Sequence, residues 1–315
     1  MGELAALISA MVWAFTSVML TSLTARTAPA VLSGLRLALG SCALLVILLF
    51  SGQASDYGSA TTLGLLGVIG SGFIGYAFGD TLYIRVLGLL GMQKAFPISM
   101  ALYISMTVVG GIVLLGEPFQ WGLPLGAVMI GLGISLIVVP GARSGAQPLP
   151  AVPAVESALS AFDDLPDDPP AEPHPLLGYG LLLLVGIFWA AATLWLAAAR
   201  GNLGAVATGA IRAPAWGLSL LLFAGLTQRK RLREPFSNRT TLAGIAAAGL
   251  LGTGFGSLMY VYGVAEAGAA RTAVLSATAP LMGLPLSIMF LGERLTARVG
   301  LGTVLCVAGI LFVIA

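Results

Sequence analysis

The chain is written as long apolar runs separated by short stretches carrying charge, glycine or proline. The runs cover residues 4–23, 31–50, 61–84, 95–115 and 121–140, then 176–199, 203–226, 242–263, 272–291 and 297–315. Each has about the twenty residues a helix needs to cross a bilayer, and a helix satisfies its own backbone hydrogen bonds there. A transmembrane barrel would show segments of about ten alternating residues, and nothing in this sequence alternates. The first run has Glu3 ahead of it and no basic leader segment, so it reads as a span rather than a cleaved signal. The pattern predicts an all-α membrane protein with ten transmembrane helices.

A repeat runs through these spans. Adding 176 to a residue number in the first half carries Trp13 to Trp189, Ser17 to Thr193 and Arg36 to Arg212. The same offset carries Gly116-Glu117 to Gly292-Glu293, Gly126 to Gly302 and Gly133 to Gly309. Each half, 1–140 and 176–315, holds five spans. Five is odd, so the halves are expected to be inverted relative to each other, the arrangement from which many secondary transporters are built. Residues 141–175 form a linker with eight of the 17 prolines and six of the 13 acids, a composition that disfavours a long helix.

Composition sharpens the class. Apolar types make up 58% of the 315 residues and charged types 9%, against about 25% charged in a soluble chain. So few charges cannot cover a water-facing surface, which excludes a soluble enzyme or binding domain. The net charge of +2 offers no continuous basic surface for a nucleic-acid partner. Cys42 and Cys306 lie in apolar runs without metal-ligand spacing and read as small buried or lipid-facing residues. The single histidine, His174, sits between prolines in the linker, so no Ser/His/Asp or Cys/His set can form. The glycine runs lack a phosphate-loop lysine. No enzyme activity, cofactor or metal site is expected.

Three charges fall well inside the runs: Arg36, Asp80 and Arg212. A charge at the bilayer centre costs about 2.5–3.5 kcal/mol on insertion scales, which makes each a functional candidate. Both arginines lie near enough to a span end for outward reach to the headgroups, and anchoring there is the simpler expectation. Asp80 is too short for that. It is expected to pair with Arg36 or Arg85, or to serve in proton coupling or cation contact.

Trp13 and Trp189 each precede a hydroxyl residue by one helical turn, Ser17 and Thr193, so ring and hydroxyl share a face. Ser99, Tyr103, Met106 and Gly110 share a face of the fourth span, and Ser276, Pro280, Gly283 and Ser287 a face of the ninth. Small residues alone suit close helix contact. Hydroxyls with a helix-interrupting proline suit a wall around water, because the freed carbonyl needs a polar partner. The candidate cavity set is Trp13, Ser17, Tyr76, Asp80, Tyr83, Ser99, Tyr103, Trp189, Thr193, Tyr260, Ser276 and Pro280.

Glu117 and Glu293, with Arg36 and Arg212, form a second set of gate or structural charges. Two arrangements are open. Cross-half pairs, Arg36 with Glu293 and Arg212 with Glu117, could latch opposite ends of a cavity. Alternatively, each glutamate caps the helix that starts a few residues later. Pro118 and Thr296, both helix-start residues, favour capping.

The stretches Gly79-Asp80-Thr81-Leu82-Tyr83 and Ala279-Pro280 through Leu291-Gly292-Glu293-Arg294-Leu295-Thr296, with the duplicated five-span unit, resemble the EamA-type members of the drug/metabolite transporter superfamily. The family pattern has a proline 13 residues before the Gly-Glu glutamate; Pro280 matches it, whereas the first half has Ile104 beside Tyr103. The resemblance implies a secondary transporter of small organic metabolites, such as amino acids, with its pathway among spans 1, 3, 4, 6, 8 and 9. It also implies a bacterial inner or plasma membrane, with lipid, a small-molecule substrate and protons as candidate coupling ion for partners. Export is the expected direction. A lipid-carrier flippase on the same scaffold and a non-transporting membrane scaffold or receptor are the competing readings. Loops following odd-numbered spans hold 11 Lys and Arg against two, Arg200 and Arg271, on the opposite side. That asymmetry predicts a cytoplasmic linker and outward-facing termini. Oligomeric state is not legible from these patterns.

Overall fold

The computed structural model describes residues 1–24, 26–90, 92–138, 175–279 and 297–314, and all regular structure among them is helical. The first half contains α1 (Gly2–Thr24), α2 (Pro29–Ser51), α3 (Thr62–Leu90), α4 (Met92–Leu115) and α5 (Gly122–Val138). The second contains α6 (Pro175–Ala199), α7 (Ala205–Thr227), α8 (Arg239–Ala267), α9 (Ala269–Ser276) and α10 (Ala297–Ile314). Seven helices among the described residues are long and apolar enough to cross a membrane: α1, α2, α3, residues Ile98–Leu115 of α4, α6, α7 and α8. In α5 and α10, Gly122–Leu136 and Gly300–Ile314 are shorter apolar helices. Linker residues 141–174, with His174, lie outside the described residues, as do Pro280, Gly283, Ser287, Gly292 and Glu293.

Local chemistry accounts for several helix ends. Pro29 opens α2, where its missing N–H would have been unpaired in any case, and Gly52 closes it at φ 73°. Asn238 caps α8 by accepting from the Thr240 and Thr241 N–H groups at 3.0 and 3.1 Å. The basic cluster between α7 and α8 forms a short polar helix of its own, Arg229–Ser237.

Two interior irregularities position the site. In α3, residues Phe73–Asp80 are π-helical; in α8, so are Gly249–Gly256. The two segments are 176 residues apart at both ends. A π turn widens the helix and re-aims the side chains that follow, which is why such turns concentrate at functional sites.

Helices equivalent under the offset pack together: α2 against α7 and α5 against α10. Contacts of α1 with α8 are matched by contacts of α6 with α3, the exchange expected of a two-repeat architecture. At one end of the bundle a Cβ on Gly2 would fall 2.7 Å from Glu266, and Arg200, just after α6, donates to the Ala265 carbonyl at 2.9 Å. The start of α1 and the end of α6 therefore lie at the same end, so these two equivalent helices run in opposite directions. Large apolar side chains such as Leu49, Phe50, Val113, Leu114, Leu222 and Leu226 stand exposed on the outside, as suits a surface solvated by hydrocarbon.

Candidate functional site

A cavity opens between the halves, walled by α1–α4 on one side and α6–α9 on the other. Of the twelve side chains named from sequence, eight line it: Trp13, Tyr76, Asp80, Tyr103, Trp189, Thr193, Tyr260 and Ser276. Ser17, Tyr83 and Ser99 are buried but do not line it. Tyr83 stands behind the wall, its ring 4.9 Å from that of Trp189 and its hydroxyl donating to Ser17 Oγ at 3.4 Å. Pro280 lies outside the described residues.

Asp80 ends the π turn of α3 and meets both halves. Its Oδ2 accepts from Arg36 Nη2 at 2.5 Å, and its Oδ1 accepts from the Trp189 indole N–H at 2.9 Å. Of the two arginines proposed as partners, Arg36 is the one bonded; Arg85 is exposed. Gly79 makes this contact sterically open, because a Cβ there would fall 2.7 Å from Trp189 Cδ1. Trp13 and Trp189, equivalent under the offset, meet edge to face with ring centroids 5.3 Å apart, a favoured geometry for aromatic pairs.

The outward, anchoring placement expected of the arginines is corrected. Arg36 and Arg212 are 3% and 4% exposed and line the cavity. Each sits on a helix that packs against the opposite half, so the side chain meets polar groups inside rather than headgroups outside. Arg212 donates from Nε to Ser71 Oγ at 3.1 Å, from Nη2 to the Ser71 carbonyl at 3.3 Å and from Nη1 to the Tyr76 hydroxyl at 3.4 Å. Its Cζ also lies 4.5 Å from the Tyr76 ring centre, within cation–π range. The Tyr76 hydroxyl also shares a hydrogen bond of 2.5 Å with Ser257 Oγ. Also in the lining, the Tyr103 and Tyr260 hydroxyls share a bond of 2.6 Å, and Thr193 bonds to Tyr260 as well.

Neither arrangement expected of the Gly-Glu pairs describes Glu117. No ion pair joins it to Arg212 among the described residues, and it does not cap the following helix, α5. Its carboxylate crosses to the other half and accepts from the N–H groups of Ala269 and Ala270 at 2.7 and 3.0 Å, capping α9. Gly268, at φ 87°, turns the chain so that those N–H groups face the carboxylate. Arg36 is occupied by Asp80, and Glu293 lies outside the described residues.

Sequence reading missed Thr253 and Ser257, which also line the cavity. Their spacing with Tyr260, four and then three residues, was a usable signal for a shared helix face. The π turns had no comparable signal.

The model of the EamA-like transporter family matches residues 1–139 and 176–315. No curated protein matches the chain. Among solved structures, one described as "Crystal structure of protein" is 17% identical and superposes with a TM-score of 0.70, covering 99% of this chain and 98% of its own. At that identity the likeness concerns the fold. With both halves matched, the chain belongs to the EamA-like transporter family, within the drug/metabolite transporter superfamily.

Proposed function

We propose that this protein is a secondary transporter that exports a small organic solute by alternating access through the cavity between its halves. The observation that carries this reading is the cavity's shared wall, four helices from each half with a π turn on either side. A site walled by two similar, oppositely running bodies can be opened toward either face by rocking one against the other. The moving units are residues 1–140 and 176–315, joined by the linker 141–175, which faces the cytoplasm.

The wall chemistry suits a solute rather than a lipid. A headgroup site would need its cations at a lateral opening between helices, and both arginines are instead almost fully buried. Asp80 is the one carboxylate among the described lining residues. Proton coupling through Asp80 would have to release its bond to Arg36.

Reconstituted vesicles test the function directly. Protein-dependent, saturable counterflow of at least one member of a metabolite panel is expected. A panel that moves no faster than in empty vesicles overturns the proposal. Deleting residues 146–172 separates transport from scaffolding, because counterflow is expected to survive the deletion.

A further inference from the structure

Arg36 and Arg212 are equivalent under the 176-residue offset, yet among the described residues only Arg36 has an ion-pair partner. Arg36 has Asp80. The same offset carries Asp80 to Gly256, so α8 offers no carboxylate at the matching place. Arg212 is left with a serine, a tyrosine hydroxyl and a carbonyl, and no ion pair involves it among the described residues. A guanidinium carries five N–H donors. The three bonds made leave two, one on each terminal nitrogen, for the two oxygens of a carboxylate.

A second observation points into the same space. Ser276 Oγ and Thr253 Oγ1 line the cavity, are 9% and 2% exposed as residues, and have no hydrogen-bond partner among the described residues. Facing the cavity without a partner, both hydroxyls are free to bond a bound solute. Among the described residues the wall thus presents one cation without an ion-pair partner, two unsatisfied hydroxyls, and apolar surface from Trp13, Met100 and Trp189.

We propose that Arg212 is the anchor for a substrate carboxylate, and that the solute is a singly charged organic anion with an apolar body. This rests on the transport reading of the cavity and narrows it to a substrate class. The charge count decides the valence. Arg36 and Asp80 cancel, so one negative charge on the solute brings the described lining to neutrality, whereas a dianion leaves a buried charge unpaired. The same count disfavours an ammonium group. Both oxygens of Asp80 are engaged, by Arg36 and by Trp189, so a zwitterion's amine meets no free carboxylate among the described lining residues.

The test is equilibrium binding to the purified full-length protein, using matched carboxylate, carboxamide, amine and amino-acid forms of alkyl and phenylalkyl compounds. In the wild type the carboxylates are expected to bind at least about tenfold tighter than their amides and amines, the scale of one charge-assisted fork. Arg212→Gln is expected to abolish the advantage of the carboxylate over its amide. Arg212→Lys keeps the charge but loses the fork and is expected to fall between. Equal carboxylate affinity in wild type and Arg212→Gln overturns the inference. So does tighter binding of the amine, amide or amino-acid forms by the wild type, an outcome that leaves the transport reading standing. If no compound of any charge binds and none shows counterflow, both readings fall. Should Arg212→Gln not fold, the wild-type charge series decides by itself.

Discussion

The indole N–H of Trp189 on α6 donates to Asp80 on α3 across 2.9 Å, joining the two halves at the wall of the cavity. The same carboxylate holds Arg36 of α2 at 2.5 Å. Three helices thus converge on one acidic side chain that is 3% exposed.

Removing that charge should be more damaging than removing the pair. Asp80→Asn leaves Arg36 buried without a counter-charge, and the Arg36 Nε already has no hydrogen-bond partner among the described residues. Breaking a buried pair from one side costs about 3–5 kcal/mol. The double variant Asp80→Asn with Arg36→Gln is expected to unfold at higher denaturant than Asp80→Asn alone. Strictly additive losses in that cycle would mean the two groups are not coupled.

Gly79→Ala probes the Trp189 contact by steric means. The added methyl would fall 2.7 Å from Cδ1 and 2.9 Å from Nε1 of the ring, so the indole must move off Asp80. A loss of about 1–3 kcal/mol is expected, as for other overpacked cores, with a changed near-ultraviolet circular dichroism signal. Gly131→Ala on α5 is the control. A Cβ there meets nothing within 4 Å, and the substitution should stabilise its helix by up to about 1 kcal/mol.

Glu117 is expected to behave as a cap and not as a latch. Glu117→Ala removes both bonds to the start of α9 and should lower stability by about 1–2 kcal/mol, measured as a shift in the denaturation midpoint. Exchanging the charges, Arg212→Glu with Glu117→Arg, should not restore what either single change loses. Recovery of stability or counterflow in that double variant would reinstate the cross-half latch.

Charge asymmetry sets the expected orientation. Reporters fused at Ala315 should be active when the enzyme works outside the cytoplasm and silent when it works only inside. The opposite pattern would turn the whole molecule over and place the linker outside.

Span rhythm, the 176-residue repeat and the hydroxyl-bearing faces were legible in the sequence because run length and helical period are local properties. Trp13, Tyr103, Trp189, Thr193 and Ser276 could be picked out on that basis, since a face is defined by spacing along one helix. Partner choice is not local. Whether Asp80 takes Arg36 or Arg85, and whether Arg212 reaches out to headgroups or in to Tyr76, depends on what the neighbouring helices bring to the same point. Glu117 shows this most plainly. Its sequence neighbours suggest a cap for α5, yet the unpaired N–H groups it meets are those of Ala269 and Ala270, 152 and 153 residues away. The π turns of α3 and α8 belong with these. A widened turn trades ideal helical hydrogen bonding for contacts between helices, so it is settled by the folded bundle and not by any one segment of the chain.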